Sequence, residues 1–182
     1  MEVFISKMRK LKGVRKMILI EEAWKAIAKE GMAEYIRYLF KTVRKFFGEA
    51  IVVTQEVEDI ISSPVVKQAI INNSDCKILL DQSKYQNKFE QIQELLGLTE
   101  KEKALILSVN KANDPDKKYK EVFISLGGML SKVYRTEVSL EEYLAYTTEE
   151  TEKVKVQAYA KRFDGNIRKG IAALAVDMKN EN

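Results

Sequence analysis

Three short apolar runs constrain the fold of this 182-residue chain, because each run leads directly into polar side chains. The first run, residues 17–20, is unbroken. An unbroken apolar run of this length is typical of a buried strand in a parallel sheet. The polar residues that follow the three runs are Glu21 and Glu22, Thr54 and Gln55, and Asp81 and Gln82.

Helical patterns separate these runs, and strands that alternate with helices predict an α/β fold with a mainly parallel sheet. Gly127 and Gly128 join two alternating segments, which predicts a C-terminal hairpin. We expect the sheet and its flanking helices within residues 1–138 and terminal helices within 139–182. The predicted strands are 16–21, 50–55, 76–82, 119–126 and 130–138. Three of the predicted helices are 2–12, 64–71 and 99–109. A fourth has its apolar face along 35–47 and is predicted to end at Gly48.

Thr99 with Glu102 forms a capping-box pattern for the helix at 99–109, and Gly97 is predicted to end the preceding helix. The stretch "NDPD", residues 113–116, is predicted to be a turn. Capping-box patterns at Ser139 with Glu142, and at Thr147 with Glu150, predict two of the terminal helices.

Composition excludes several classes of protein. The chain is 46% hydrophobic and 32% charged, and it has no apolar stretch near the ~20 residues of a membrane span. There is no His, which excludes Ser–His and Cys–His nucleophilic pairs and disfavours a zinc site. The one cysteine, Cys76, is expected to be a buried thiol in a reducing, cytoplasmic compartment. A net charge of +4 is weaker than the footprint of a dedicated DNA-binding domain.

The polar strand ends are the candidate site. Because ligands of open α/β sheets bind beyond the carboxyl ends of the strands, we expect acids, amides and hydroxyls to converge there. One acid can hold a hydrated Mg²⁺, a second can orient a water, and a neighbouring amide can contact a γ-phosphate. The residues alone leave a second interpretation open, in which the first strand simply leaves the core and its two acids are solvated.

Five ordered sequence blocks make the interpretation more specific: "MILIEEAW", "TVRKFFGEAIVVTQE", "NNSDCKILLDQ", "LLGLTEKEKALIL" and "EVFISLGGMLSKVYRTEVS". In order and approximate spacing they resemble the C-terminal half of TraG-type ATPases of Bacteroides conjugative transposons. That family is related to the large ATPase of type IV secretion systems. The resemblance covers nearly all of residues 1–177.

The resemblance implies that residues 1–182 form the C-terminal portion of a RecA-like P-loop NTPase domain of the HerA/FtsK type. Such a motor hydrolyses ATP with Mg²⁺ to power DNA transfer or pilus assembly. It also implies a homo-oligomer, a hexamer in the full-length protein, located in the cytoplasm at the periphery of the inner membrane. The implied partners are other components of the conjugation apparatus, with DNA contacted at most indirectly.

The same resemblance assigns roles at the first two strand ends. Glu21 and Glu22 match the Walker B pair, so Glu21 would bind magnesium through water and Glu22 would polarise the attacking water. The family more often has Asp at the first position, and Glu21 adds a methylene. Gln55 matches the sensor glutamine that ends the next strand, where the simpler role is a hydrogen bond to loop backbone.

Three basic residues are further candidates by resemblance. Arg44 and Lys45 match the basic pair before the second strand, and one of them would reach the γ-phosphate of a neighbouring subunit as an arginine finger. They also continue a basic stripe with Arg37 and Lys41, which is typical of a solvated helix face. Arg135, on the last strand, is a candidate nucleotide contact.

The sequence contains no P-loop, G-x-x-x-x-G-K-[ST]. The stretch "GNIRKG" at 165–170 has the glycine spacing, but Ile171 and Ala172 follow it. In the family the P-loop lies well upstream of the Walker B strand, so we expect the chain to be part of a longer ATPase. It would then bind ATP tightly only with that upstream segment, and it would expose apolar surface that favours self-association. The alternative is an autonomous, non-catalytic docking module of the conjugation apparatus.

Overall fold

A computed structural model describes residues 2–22, 30–55, 64–111 and 119–180. Its helices are α1 (Glu2–Lys10), α2 (Glu30–Thr42), α3 (Pro64–Asn73), α4 (Phe89–Leu96), α5 (Glu100–Ser108), α6 (Leu140–Tyr146), α7 (Glu150–Lys161) and α8 (Ile167–Asn180). Its strands are β1 (Lys16–Ile20), β2 (Gly48–Val52), β3 (Cys76–Leu79), β4 (Tyr119–Leu126) and β5 (Leu130–Glu137). Two 3₁₀ turns span Val43–Phe46 and Ser83–Lys88. The predicted "NDPD" turn, 113–116, lies outside the described residues.

The chain forms two compact units. The first contains 1–109 and 123–133, and the second contains 110–122 and 134–182, so strands β4 and β5 contribute to both. The predicted α/β class, with a parallel sheet and flanking helices, is confirmed.

Strands β1 and β2 are parallel neighbours in the first unit, with Ile20 opposite Val52. One face of this pair packs against α1, α2 and α3, because Ile18, Ile20, Ala50 and Val52 contact their buried side chains. The sequence of α2 explains this packing, because its apolar residues recur every three or four positions and so form one buried stripe along the helix. The helices therefore hold the two strands in a fixed register.

The opposite face of the β1–β2 pair is apolar and exposed. Met17, Leu19, Ile51 and Val53 are between 37% and 64% exposed. The expectation that β1 is buried on both faces is therefore wrong for the described residues. Exposed apolar surface was predicted for a chain that is part of a longer ATPase, because a parallel sheet is normally covered by helices on both faces.

The third strand does not join the parallel pair. Among the described strands β3 pairs antiparallel with β4, with Cys76 opposite Leu126, in a second sheet of order β3-β4-β5. Cys76 is exposed, and so the prediction of a buried thiol is wrong. The reason is alternation: Leu79 points into the core, while Cys76 and Ile78 lie on the other face.

The predicted helix end at Gly48 is also wrong. Helix α2 tightens into the 3₁₀ turn after Thr42, and Phe47, at φ 54°, takes the left-handed position that ends it. Gly48 instead begins β2, where a side chain would not fit because its Cβ would lie 2.9 Å from Cγ2 of Val43. The glycine is needed for close approach and not for a left-handed turn.

A buried carboxylate connects α5 to the β4–β5 hairpin. Glu102 is 8% exposed and closes the predicted capping box with Thr99, whose backbone N–H donates to Oε2 at 2.9 Å. Its Oε1 accepts from Ser131 Oγ at 2.6 Å and from Ser125 Oγ at 3.1 Å. Burial raises the pKa of Glu102, but the hydrogen bonds from Ser131, Thr99 and Ser125 outweigh it and lower the pKa to about 2.

We expect Glu102→Gln to lower the free energy of unfolding by roughly 3 kcal/mol at neutral pH, because the side-chain amide cannot accept hydrogen bonds at both of the positions that the carboxylate oxygens occupy. The pKa of Glu102 in the folded protein lies below the ordinary glutamate value of 4.5, so this contribution is present above that pH and is lost as the pH falls toward 2. Urea unfolding at neutral and acid pH measures it. The matched control is Glu142→Gln in the exposed capping box of α6, which we expect to cost about 1 kcal/mol or less. Equal losses in both variants would contradict the special role of the buried carboxylate.

Helices α6, α7 and α8 form the core of the second unit around Leu144, Val156, Leu174 and Ala175. The capping box at Ser139 is confirmed. The one predicted at Thr147 is wrong, because Glu149 is the N-cap of α7 and Thr147 Oγ1 instead bonds the Glu152 carboxylate. None of the described helices is long and apolar enough to span a bilayer.

Helices α7 and α8 cross in backbone contact at Gly170, which is buried. A Cβ on Gly170 would lie 2.6 Å from the backbone N of Ala160. We expect Gly170→Ala to destabilise the protein by roughly 1–3 kcal/mol, although helix propensity alone would favour alanine by about 1 kcal/mol. Thermal unfolding measures this change. Gly31→Ala in α2, where a Cβ meets no atom within 4 Å, is the control, and we expect it to be neutral or slightly stabilising. A stabilised Gly170→Ala variant would show that the helices do not cross this closely.

Candidate functional site

The parallel pairing brings the first two predicted strand ends together. Glu21 and Glu22 follow β1 directly, and the ladder continues one residue past β2 because Val53 N–H donates to Ile20 O at 2.9 Å. Thr54 and Gln55 come next on the neighbouring strand. Two carboxylates, a hydroxyl and an amide therefore lie at one edge of the sheet.

Glu22 has an unusual backbone. Its φ is 48°, in the left-handed region that a residue with a side chain rarely adopts. Such conformations are costly and cluster at active sites. Both Glu21 and Glu22 are exposed. This backbone feature was not evident from residue types, and among the described residues Phe47, Asn110 and Asp164 share it.

The donor set fits one side of a magnesium–nucleotide site. Carboxylates at a strand end can bind Mg²⁺ through water, which this ion retains readily. The described residues contain no group of three His, Cys, Asp or Glu side chains suited to holding a metal directly. The sequence lacks the part of a nucleotide site that binds the phosphates, because it contains no P-loop to supply backbone N–H groups and a Lys.

Asp81 and Gln82 were expected at the same edge, and the strand pairing does not place them there, since β3 belongs to the second sheet. Both residues take part in local structure. Asp81 Oδ1 accepts from Ser83 N–H at 2.8 Å, and Gln82 Nε2 donates to Leu80 O at 3.3 Å. The convergence therefore involves two strand ends and not three.

Arg44 and Lys45 lie at the other end of the parallel pair. They belong to the 3₁₀ turn that precedes β2, whereas Gln55 follows that strand. Five strand residues at about 3.3 Å each separate the two ends by roughly 17 Å. Both basic residues are exposed, and Lys16 Nζ fixes the turn by donating to Phe46 O at 2.6 Å. Within one chain, the strand therefore separates these side chains from Glu22.

Arg135 has partners within the hairpin. Its Nε lies 3.4 Å from Glu121 Oε1, and its guanidinium lies 4.5 Å from the Tyr119 ring centroid. Glu121 also accepts from the backbone N–H of Asn110 at 2.9 Å, and its own N–H donates to Asn110 Oδ1. These contacts give Arg135 a structural role, and its contact with a nucleotide stays a prediction.

Comparison with known proteins identifies the fold. One solved structure, VirB4 of Thermoanaerobacter pseudethanolicus, has the same fold over 75% of this chain with a TM-score of 0.55 and 21% identity. The chain covers 34% of that VirB4 chain. A comparison with the curated proteins gave no match.

The match to a family model shows that this α/β fold is that of a P-loop domain. The family described as the TraG P-loop domain matches residues 1–178. The chain belongs to this family, and the predicted resemblance to TraG-type conjugative ATPases is confirmed.

Proposed function

We propose that this chain is the water-activating half of an ATP-hydrolysing motor of a conjugation apparatus. The observation that carries the proposal is the pair Glu21 and Glu22 at the end of β1, beside Gln55 and with the backbone of Glu22 in the left-handed region. Glu21 binds Mg²⁺ through water, Glu22 polarises the attacking water, and Gln55 contacts the γ-phosphate.

The phosphate-binding half comes from a P-loop outside this sequence. The exposed apolar side chains on the free face of the β1–β2 pair support this step, since a doubly covered sheet needs helices on that face. The face of β3 that carries Ile78 is likewise exposed, at 61%. ATP is therefore held between two halves of one domain and is not bound tightly by this chain alone.

The motor works as a homo-oligomer, with a hexamer as the full-length form. Arg44 and Lys45 support this, because they lie at the opposite end of β2 from Glu22 and are exposed for a neighbouring subunit. The cargo is DNA or pilus subunits, the partners are other conjugation components, and the location is peripheral at the inner membrane.

An ATP-binding titration tests the two-half site. We expect a fluorescent ATP analogue to bind weakly to residues 1–182 and tightly to a polypeptide that joins them to the family's P-loop segment. Phosphate release should appear only in the joined protein. A joined protein that binds ATP but never hydrolyses it would contradict the catalytic proposal.

The docking-module alternative rests on the same exposed apolar faces, which would then bind another secretion component. It predicts that hydrolysis is absent with or without the P-loop segment. The two proposals are therefore separated by the same titration.

A further inference from the structure

The most basic ten-residue stretch of the sequence lies where helix α1 ends and strand β1 begins. Residues 7–16 contain six basic side chains and no acid. Two exposed apolar side chains lie among them, Leu11 at 48% and Val14 at 52%. We name residues 7–16 the basic segment. Its cations are Lys7, Arg9, Lys10, Lys12, Arg15 and Lys16.

The basic segment is anchored to the helix and strand next to it. Met8 is buried in the core that α1 shares with α2. Arg9 Nη2 donates to the hydroxyl of Tyr38, on α2, at 3.1 Å. Lys16 Nζ donates to two backbone carbonyls, at 2.8 Å and 2.6 Å. The remaining side chains of the segment are therefore presented from an anchored backbone.

Half of the cations in the basic segment are not used by the part of the chain that the structure describes. Lys7, Lys10 and Lys12 make no ion pair there, whereas Arg15 Nη2 lies 3.2 Å from Glu49 Oε2. Like charges in a short segment repel one another, and this repulsion costs free energy. A partner with exposed carboxylates would remove that cost.

The same chain carries a surface of the opposite charge around α6 and the start of α7. Residues 137–152 contain six glutamates and no basic residue. Large apolar side chains are exposed among them as well, including Val138 at 48% and Tyr146 at 79%. Glu137 and Glu149 make no ion pair with any described residue. We name residues 137–152 the acidic segment.

The two segments are complementary in both charge and polarity. Each combines unpaired charges with exposed apolar side chains, and protein interfaces place apolar contacts at the centre with complementary charges around them. A nucleic acid or a bilayer would engage only the basic segment and would leave the acidic segment without a partner. A second copy of this chain matches both segments.

We propose that the basic segment of one copy of this chain binds the acidic segment of a second copy. This inference rests on the homo-oligomer proposed above and names its contact surfaces. Because the two segments are different parts of the chain, each copy binds two neighbours, which generates a ring or a filament. Lys16 lies opposite Gly48 in the parallel ladder, so the basic segment is at the same end of the β1–β2 pair as Arg44 and Lys45. The basic segment therefore continues the surface that is proposed to reach a neighbouring subunit.

Exchange of charge between two variants of the full chain tests this contact, with self-association measured by sedimentation velocity. One variant is Lys10→Glu/Lys12→Glu, and the other is Glu137→Lys/Glu149→Lys. We expect each variant alone to self-associate at least about tenfold more weakly than wild type, because like charges then face each other. An equal mixture of the two should recover the wild-type level, since each reversed segment meets its complement. Wild-type self-association should weaken when sodium chloride is raised from about 0.05 M to about 0.5 M.

The matched control is Arg168→Glu/Lys169→Glu at the start of α8. It makes the same change in net charge as Lys10→Glu/Lys12→Glu, at exposed positions outside both segments. We expect it to self-associate as wild type does. Circular dichroism checks that each variant keeps its helices.

Each other outcome overturns the inference. If all variants self-associate as wild type does, or if salt has no effect, the homo-oligomer stands and its contact lies elsewhere, such as at the exposed apolar strand faces. If both variants are weakened and their mixture does not recover, the two segments do not face each other. If wild type stays a monomer, the contact fails for this chain, while phosphate release from the P-loop-joined protein tests the ATP site separately. If Lys10→Glu/Lys12→Glu instead loses only binding to duplex DNA, the basic segment is a nucleic-acid surface.

Discussion

Glu22→Gln, in the protein that joins this chain to its P-loop segment, should lower the turnover number for ATP about 10³-fold while ATP still binds. The reason is that glutamine keeps the shape of the side chain but cannot polarise the attacking water. The strained backbone of Glu22 holds the side chain where the strand turns, and the change leaves that backbone in place. Phosphate release and analogue binding, measured on the same preparation, separate turnover from affinity.

The matched control for this prediction is Glu90→Gln on α4, which removes an exposed carboxylate far from the strand ends in sequence. We expect it to retain wild-type turnover. If Glu22→Gln also retained turnover, Glu22 would be a solvated strand end, which is the second interpretation that the sequence left open.

Arg44→Ala should lower turnover by roughly 10³-fold through the neighbouring subunit, because that is the effect of removing an arginine finger. We expect this action in trans, because β2 separates Arg44 from Glu22 by its whole length. Lys45→Ala tests which member of the pair reaches the phosphate. Lys41→Ala, an exposed residue on the same basic stripe, is the control and should have little effect.

Mixing two inactive variants tests the trans arrangement directly. In an equal mixture of Arg44→Ala and Glu22→Gln subunits, about a quarter of the interfaces combine an intact Glu22 with an intact Arg44. We expect those interfaces to recover hydrolysis. A mixture as inactive as its two components would contradict a finger supplied by the neighbour.

Local sequence signals predicted most elements of the fold. The capping boxes at Thr99 and Ser139, the left-handed Gly97 and the glycine turn at Gly127 all depend on residues near one another in the chain. Such signals identify helices and turns because the hydrogen bonds and backbone conformations involved depend only on neighbouring residues. The pairing of Glu21 and Glu22 with Gln55 followed in the same way from two strand ends in one parallel ladder.

The errors concern packing that residue types do not reveal. Cys76 was expected to be buried, but Leu79 lies on the face that Phe89, Ile92 and Phe123 cover, and Cys76 lies on the other face. Gly48 resembled a helix stop, yet Phe47 takes the left-handed position, and Gly48 is needed where β2 passes close to Val43. The backbone of Glu22 could not be predicted, since residue type favours no left-handed conformation there.

A structure of the P-loop-joined protein with Mg²⁺ and an ATP transition-state analogue would test the proposed site directly. We expect the carboxylate of Glu22 to contact the attacking water, Glu21 to reach the magnesium through water, and Arg44 or Lys45 of a neighbouring subunit to contact the γ-phosphate position. A nucleotide bound away from the ends of β1 and β2 would contradict it.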